Sequence, residues 1–130
     1  MLNQLFGSQE KHLLAGWKSL EEESQIEEIL ERSNEKPVLV FKHSPSCGIS
    51  AMVKHQLERN WDFKEEELEV YYLDVIHHRP TSMALASRLG VVHQSPQVLL
   101  IYNGKSIFDT SHHMISVGVL HEAIQTILNA

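Results

Sequence analysis

One cysteine stands in this chain of 130 residues, and it lies in the stretch Phe41-Lys42-His43-Ser44-Pro45-Ser46-Cys47-Gly48-Ile49-Ser50. The thiolate is the attacking form of a cysteine, and it is favoured at helix N-termini and beside cations. Lys42 and His43 are the basic residues nearest to Cys47 in the sequence, and Ser44, Pro45, Ser46 and Gly48 are loop-forming rather than core-like. Ser50 occupies the place of the second sulfur in a C-x-x-C dithiol. A hydroxyl there can donate a hydrogen bond to a thiolate, but it cannot resolve a mixed disulfide. The chemistry this pattern predicts is therefore one half of disulfide exchange. Cys47 accepts a thiol adduct, and an outside thiol must remove it.

The elements around Cys47 have to bring it to the surface and supply a wall for its substrate. Val38 to Phe41 is apolar on both faces, as in a central strand covered by helices on each side. Ile49, Met52, Val53, Leu57 and Trp61 follow the i, i+3, i+4 spacing of a helix from about Cys47 to Asn60. That places the cysteine in the first helical turn, where free amides and the helix dipole favour an anion. Earlier in the chain, Trp17 and Leu20 suggest a brief strand. Ile26, Ile29 and Leu30 share one face of an acidic helix ending near Ser33. Later, Val70 to Val75 reads as a strand, Arg79-Pro80-Thr81 as a break, and Ser82 to Leu89 as a short helix capped by Gly90. Asn103-Gly104 joins the runs 97–102 and 105–108 as a two-residue hairpin, and Val117 to Leu128 is the last helix. Residues 1–15 show no sustained period and read as an arm or a short packed helix, with 16–130 forming one domain.

Composition removes several function classes. Eleven basic residues against seventeen acidic ones leave a formal charge of −6, which argues against binding nucleic acid, where clustered Lys and Arg meet phosphates. A lone cysteine forms no internal disulfide and suits a reducing cytoplasm. No leader pattern and no long apolar run is visible, so neither a membrane partner nor a membrane location is expected. The nine histidines include the adjacent pairs His77-His78 and His112-His113, but adjacent residues do not share a face, and no metal site is expected from them. His43, by its nearness to Cys47, and His113, on the loop before the last helix, are the histidines placed to line an active site.

The order β-α-β-α-β-α-β-β-α, with parallel crossovers early and an antiparallel hairpin late, predicts a mixed α/β sheet with helices on both faces. A cysteine at the start of the helix after the central strand, and Pro96 opening the hairpin strand, are the arrangement of the thioredoxin fold. That topology predicts a cis Ser95-Pro96 bond, with Ser95 offering its backbone amide and carbonyl to a bound thiol as a short added strand.

The chain resembles the monothiol bacilliredoxins, the YtxJ-like proteins of the bacillithiol system, over roughly Trp17 to Leu128. The resemblance rests on Phe41-Lys42-His43-Ser44 with Cys47-x-x-Ser50, Asp74-Val75-Ile76 with Arg79-Pro80, and Leu89-Gly90-Val91 with His93-x-Ser95-Pro96-Gln97. Asn103-Gly104 and Ser111-His112 complete it. It implies a thioredoxin-like fold and removal of bacillithiol from S-bacillithiolated proteins. Cys47 would be the catalytic residue, and bacillithiol a co-substrate rather than a bound cofactor. The chain is expected to act as a monomer. Two positions depart from the family pattern, which more often has proline at Gly48 and a large aromatic at His113. Gly48 also makes Cys-Gly-Ile-Ser similar to the Cys-Gly-Phe-Ser of monothiol glutaredoxins, so a [2Fe-2S] carrier using Cys47 and a low-molecular-weight thiol is the alternative. Against it, the chain lacks those proteins' Thr-x-Pro and Gly-Gly-x-Asp. An arsenate reductase would need several basic residues around Cys47, where only Lys42 is close in sequence.

Overall fold

The computed structural model describes residues 13–129. Its elements are β1 (Lys18–Ser19), α1 (Ser24–Arg32), β2 (Val38–His43), α2 (Gly48–Asn60), β3 (Glu69–Asp74), α3 (Arg79–Leu89), β4 (Gln97–Tyr102), β5 (Lys105–Ser111), a 3-10 turn (His112–Met114) and α4 (Val117–Leu128). The sheet order is β1-β3-β2-β4-β5. The β1–β3 and β2–β3 pairs are parallel, whereas β2–β4 and β4–β5 are antiparallel. β2 is thus central, and all six of its residues are buried.

Alternation along the strands divides the interior in two. Leu39 and Phe41 of β2, Val70 of β3 and Val98 and Leu100 of β4 pack with Val53 and Leu57 of α2 and Leu120 and Ile124 of α4. Val38, Val40, Tyr71, Leu73, Leu99 and Ile101 point the other way, onto Ile26, Ile29 and Leu30 of α1 and Leu85 of α3. A side chain's parity in β2 therefore decides which helices it meets. His43 continues the Leu39–Phe41 row toward α2, and Lys42 continues the Val38–Val40 row toward α3.

Local chemistry sets the boundaries. Ser44-Pro45 closes β2, and the amide of Cys47 donates to the Ser44 carbonyl at 3.1 Å, making a tight turn into α2. Gly90 caps α3 in the left-handed region at φ +68°, with the Val91 amide returning to the Ala86 carbonyl. Asn103 and Gly104 hold φ values of +52° and +77°, the pair of positive angles that a two-residue hairpin with strand-matching twist requires.

Several boundaries differ from expectation. α2 begins at Gly48, so Cys47 is its N-cap residue, with extended angles (φ −106°, ψ +124°), rather than a member of its first turn. Arg79-Pro80 opens α3 instead of breaking the chain before it, because proline fits a first helical turn, where amides lack partners anyway. β2 runs on to His43, and β5 runs on to Ser111. Of the expected N-terminal arm, residues 1–12 lie outside the described residues. Leu13 and Leu14 pack against the core that includes Trp17.

Candidate active site

Four segments meet at one edge of the sheet. Register brings the first two together: Lys42 of β2 pairs with Gln97 of β4, so the chain leaving β2 toward Cys47 runs beside the chain arriving through Ser95-Pro96. The Ser95-Pro96 peptide is cis. The third segment is the 3-10 turn, whose His112 amide donates to the Pro96 carbonyl at 3.0 Å. A left-handed φ of +56° at His112 turns the chain out of β5 at that point. The fourth is α2, which the 3-10 turn contacts.

Cys47 is half-buried and free. It stands at the N-cap of a thirteen-residue helix, next to first-turn amides that have no intrahelical partner. The Cys47 side chain makes no capping hydrogen bond, so what its position offers a thiolate is the positive end of the helix dipole.

Ser50 is fully buried and its hydroxyl is engaged. It accepts the Ser44 amide at 3.0 Å and lies 2.8 Å from His43 Nδ1. The hydroxyl considered for the thiolate is thus committed to bracing the β2–α2 turn. His43 is itself buried between Phe41 and Tyr72. Burial, then the charge of Lys54, lowers its pKa below the ordinary 6.5. A neutral imidazole supports Ser50 but contributes no positive charge to the sulfur.

Lys42 is the largest departure from expectation. Although it is five residues from Cys47, it lies on the opposite face of the sheet. Its side chain is fully buried, and its ammonium reaches the Ser82 carbonyl at 3.2 Å and His93 Nδ1 at 3.1 Å. Burial lowers its pKa to about 8. The cation expected beside the sulfur instead supports the segment that carries Ser95. Strand parity carries this information, since Lys42 and His43 cannot both face α2.

The remaining expected residues fall as follows. Gly48 is exposed at the first helical position, and a Cβ built there meets nothing within 4 Å. Ser95 sits beside Pro96, and its hydroxyl is shielded from solvent with no hydrogen-bond partner among the described residues. His113 is exposed on the 3-10 turn that packs on α2. Other histidines are tied to surface carboxylates, His77 to Asp74 and His121 to Asp62, each at 2.7 Å. Ser44, Ser82 and His93 take part in the supporting network without having been assigned a role from the sequence. The signal for the last two is a lysine within an apolar strand, which must find buried acceptors.

The sequence profile of the family described as monothiol bacilliredoxin BrxC matches residues 18–125. Among solved structures, the chain is similar to a thioredoxin-fold protein proposed to be an oxidoreductase. The two share 32% identity and a TM-score of 0.71, over 83% of this chain and 93% of that one. Fasciola hepatica thioredoxin is similar at 18% identity and a TM-score of 0.64, over 84% of this chain and 97% of that one. Trypanosoma brucei brucei thioredoxin gives 13% and 0.68, over 92% and 97%. These last two establish the thioredoxin fold alone.

Proposed function

The chain belongs to the monothiol bacilliredoxin family, and from that membership we propose that it removes bacillithiol from S-bacillithiolated proteins, with Cys47 as the accepting sulfur. The observation that carries this reading is the lone sulfur at the α2 N-cap, beside the segment that leads through Ser95 and Pro96 into β4.

In the first step, the Cys47 thiolate attacks the bacillithiol sulfur of the mixed disulfide. The new S–S bond joins Cys47 to bacillithiol as the old S–S bond breaks, and the protein leaves as a thiolate that takes a proton from water. No net electron transfer occurs. In the second step, an external thiolate attacks the bacillithiol sulfur on Cys47, forming a disulfide with it and releasing Cys47 as thiolate. The chain's one cysteine makes the second step intermolecular.

The same reading gives the neighbouring residues supporting roles. The unpaired first-turn amides of Ile49 and Ser50 would stabilise the negative charge on sulfur, and Ser50 with His43 keeps the β2–α2 turn in shape. The backbone of Ser95 would pair with the polypeptide of the substrate, with Pro96 and His113 as the proposed wall of the site. One chain suffices for this reaction, bacillithiol is a substrate rather than a resident cofactor, and a reducing compartment such as the cytoplasm suits it. Among the described residues no helix is long and apolar enough to cross a membrane.

The direct assay is the release of free thiol from a bacillithiolated reporter protein, compared with the same reporter carrying glutathione. Faster release of the bacillithiol adduct, lost in Cys47→Ser, is the expected result. Equal rates with the wild type and Cys47→Ser would overturn the assignment. Under anaerobic reconstitution with iron and sulfide, a colourless protein is expected. A visible cluster spectrum that requires Cys47 would favour the iron-sulfur carrier instead.

A further inference from the structure

The contact between fully buried Lys42 and half-buried His93 serves no step above, yet it spans from the central strand to the segment that leads into Ser95-Pro96. Lysine is rarely buried completely unless it is paired with an opposite charge. Here the ammonium has no carboxylate partner among the described residues. Its contacts are the Ser82 carbonyl of α3 and Nδ1 of His93, and the Ser82 hydroxyl lies 3.2 Å from the same nitrogen. An ammonium only donates, so Nδ1 must accept, and the His93 proton resides on Nε2.

The surroundings of this pair contain cations and neutral groups. On β2 the charged group is Lys42 itself. On β4 it is neutral Gln97, whose carboxamide donates to the Val92 carbonyl at 3.0 Å and accepts the Gln94 amide at 3.3 Å. On α3 the groups are Ser82 and Arg79, and Arg79 adds positive charge near His93. Glu21, which approaches α3, lies near His78 and takes the Thr81 hydroxyl on its backbone carbonyl, so it meets neither member of the pair. Segment 91–96 is therefore fixed to the sheet at two places, by Gln97 through Val92 and Gln94, and by Lys42 through His93.

We infer that Lys42 and His93 are positioning residues of the thiol-transfer site, holding segment 91–96 so that the Ser95 backbone is presented beside Cys47. The inference rests on the function proposed above and deepens it. The hold is conditional on charge. A protonated His93 has no lone pair on Nδ1, and it would put a second cation 3.1 Å from a buried ammonium. Acid therefore releases the segment. The ordinary histidine pKa is lowered here by burial and then by Lys42 and Arg79, so release occurs below 6.5.

Two measurements on the full chain decide the matter. The first follows the nitrogen shifts of 15N-labelled histidines against pH. His93 should appear as the Nε2–H tautomer and titrate below 6.5, and in Lys42→Met its titration should move upward. The second measures KM for a bacillithiolated peptide against pH, with iodoacetamide alkylation of Cys47 as a control for the sulfur. KM should be flat above the His93 transition and rise by about tenfold per pH unit below it, without a matching break in the alkylation rate. His93→Asn keeps an acceptor at the Nδ1 position and cannot titrate. It should preserve the neutral-pH KM and abolish the acid rise, whereas Lys42→Met should raise KM several-fold at neutral pH.

An acid rise that persists in His93→Asn, or a His93 that titrates at or above 6.5, would overturn the inference, whether or not Lys42→Met folds. The nitrogen titration reads the Lys42–His93 contact without turnover. A failure of the bacillithiol reading thus shows as absent turnover with the low His93 titration intact, and a failure of the positioning role shows as turnover with an ordinary His93.

Discussion

Cys47 has backbone angles of φ −106° and ψ +124°, the extended region that a residue preceding proline adopts. Gly48 follows it at the first helical position with open space around its Cβ direction. Proline is well suited there, since the amide it lacks has no intrahelical partner. Gly48→Pro should raise stability by about 0.4–1 kcal/mol by narrowing the unfolded ensemble, and thiol transfer should survive. A urea midpoint unchanged or lowered would show that the Gly48 amide or its flexibility matters to the fold. Ser50 makes the opposite case. Ser50→Ala strands the Ser44 amide and His43 Nδ1 in a buried place, at a cost of about 1–3 kcal/mol, measurable in the same denaturation. Cys47 and the absence of a partner sulfur were legible in the sequence because they are statements of residue type. The separation of Lys42 from the sulfur, and the commitment of Ser50 to Ser44 and His43, ran against expectation. The first lay in the strand parity of 38–43, which the sequence does carry, and the second in the turn geometry of 44–47, which only tertiary packing fixes.

At the level of elements, the sequence signals that worked were those with a local physical cause. Two residues of positive φ at Asn103-Gly104 and a left-handed cap at Gly90 are demanded by backbone geometry. The α4 stripe of Leu120 and Ile124 is demanded by a core-facing helix. Signals failed where the same residue suits two contexts. Pro80 reads equally as a break and as a first-turn residue, and the Ser82 amide donating to the His78 carbonyl at 3.1 Å shows the helix starting before it. The short β1 was recognisable only from its flanking Trp17 and Leu20, because its two residues are exposed. α2 must stay rigid to hold Cys47, and its anchors are Val53 and Leu57 against Phe41 and Leu39. Leu57→Ala should cost about 2–5 kcal/mol, read as a lowered urea midpoint. A loss under 1 kcal/mol would mean that α2 is held mainly by its N-terminal turn.

Across the whole molecule, three bases withdrawn from water, Lys42 and His43 fully and His93 in part, tie stability to pH. His43 and His93 both titrate below the ordinary 6.5, each chiefly because burial disfavours its charged form. Between their folded values and 6.5 the unfolded chain binds more protons, so unfolding free energy rises with pH. Their contribution is complete above 6.5 and is lost as pH falls through the folded values. Lys42 acts in a higher window. Its pKa falls from 10.5 to about 8, so stability should climb between those two values by roughly 3 kcal/mol, at ~1.36 kcal/mol per unit. Lys42→Met should be more stable than the wild type near pH 7 by about 1–3 kcal/mol and should lack the alkaline rise, which urea midpoints from pH 5 to 10 will reveal. If Lys42 holds segment 91–96 as inferred, its buried charge is an instance of stability given up at a functional site. The central claim, that the lone sulfur at the α2 N-cap is a one-step acceptor of bacillithiol, is tested most directly by intact mass spectrometry. Reduced protein mixed with a bacillithiolated substrate should gain the mass of one bacillithiol, located on Cys47, absent from Cys47→Ser and removed by free thiol. A wild-type protein whose mass stays unchanged while the substrate remains bacillithiolated would contradict the account.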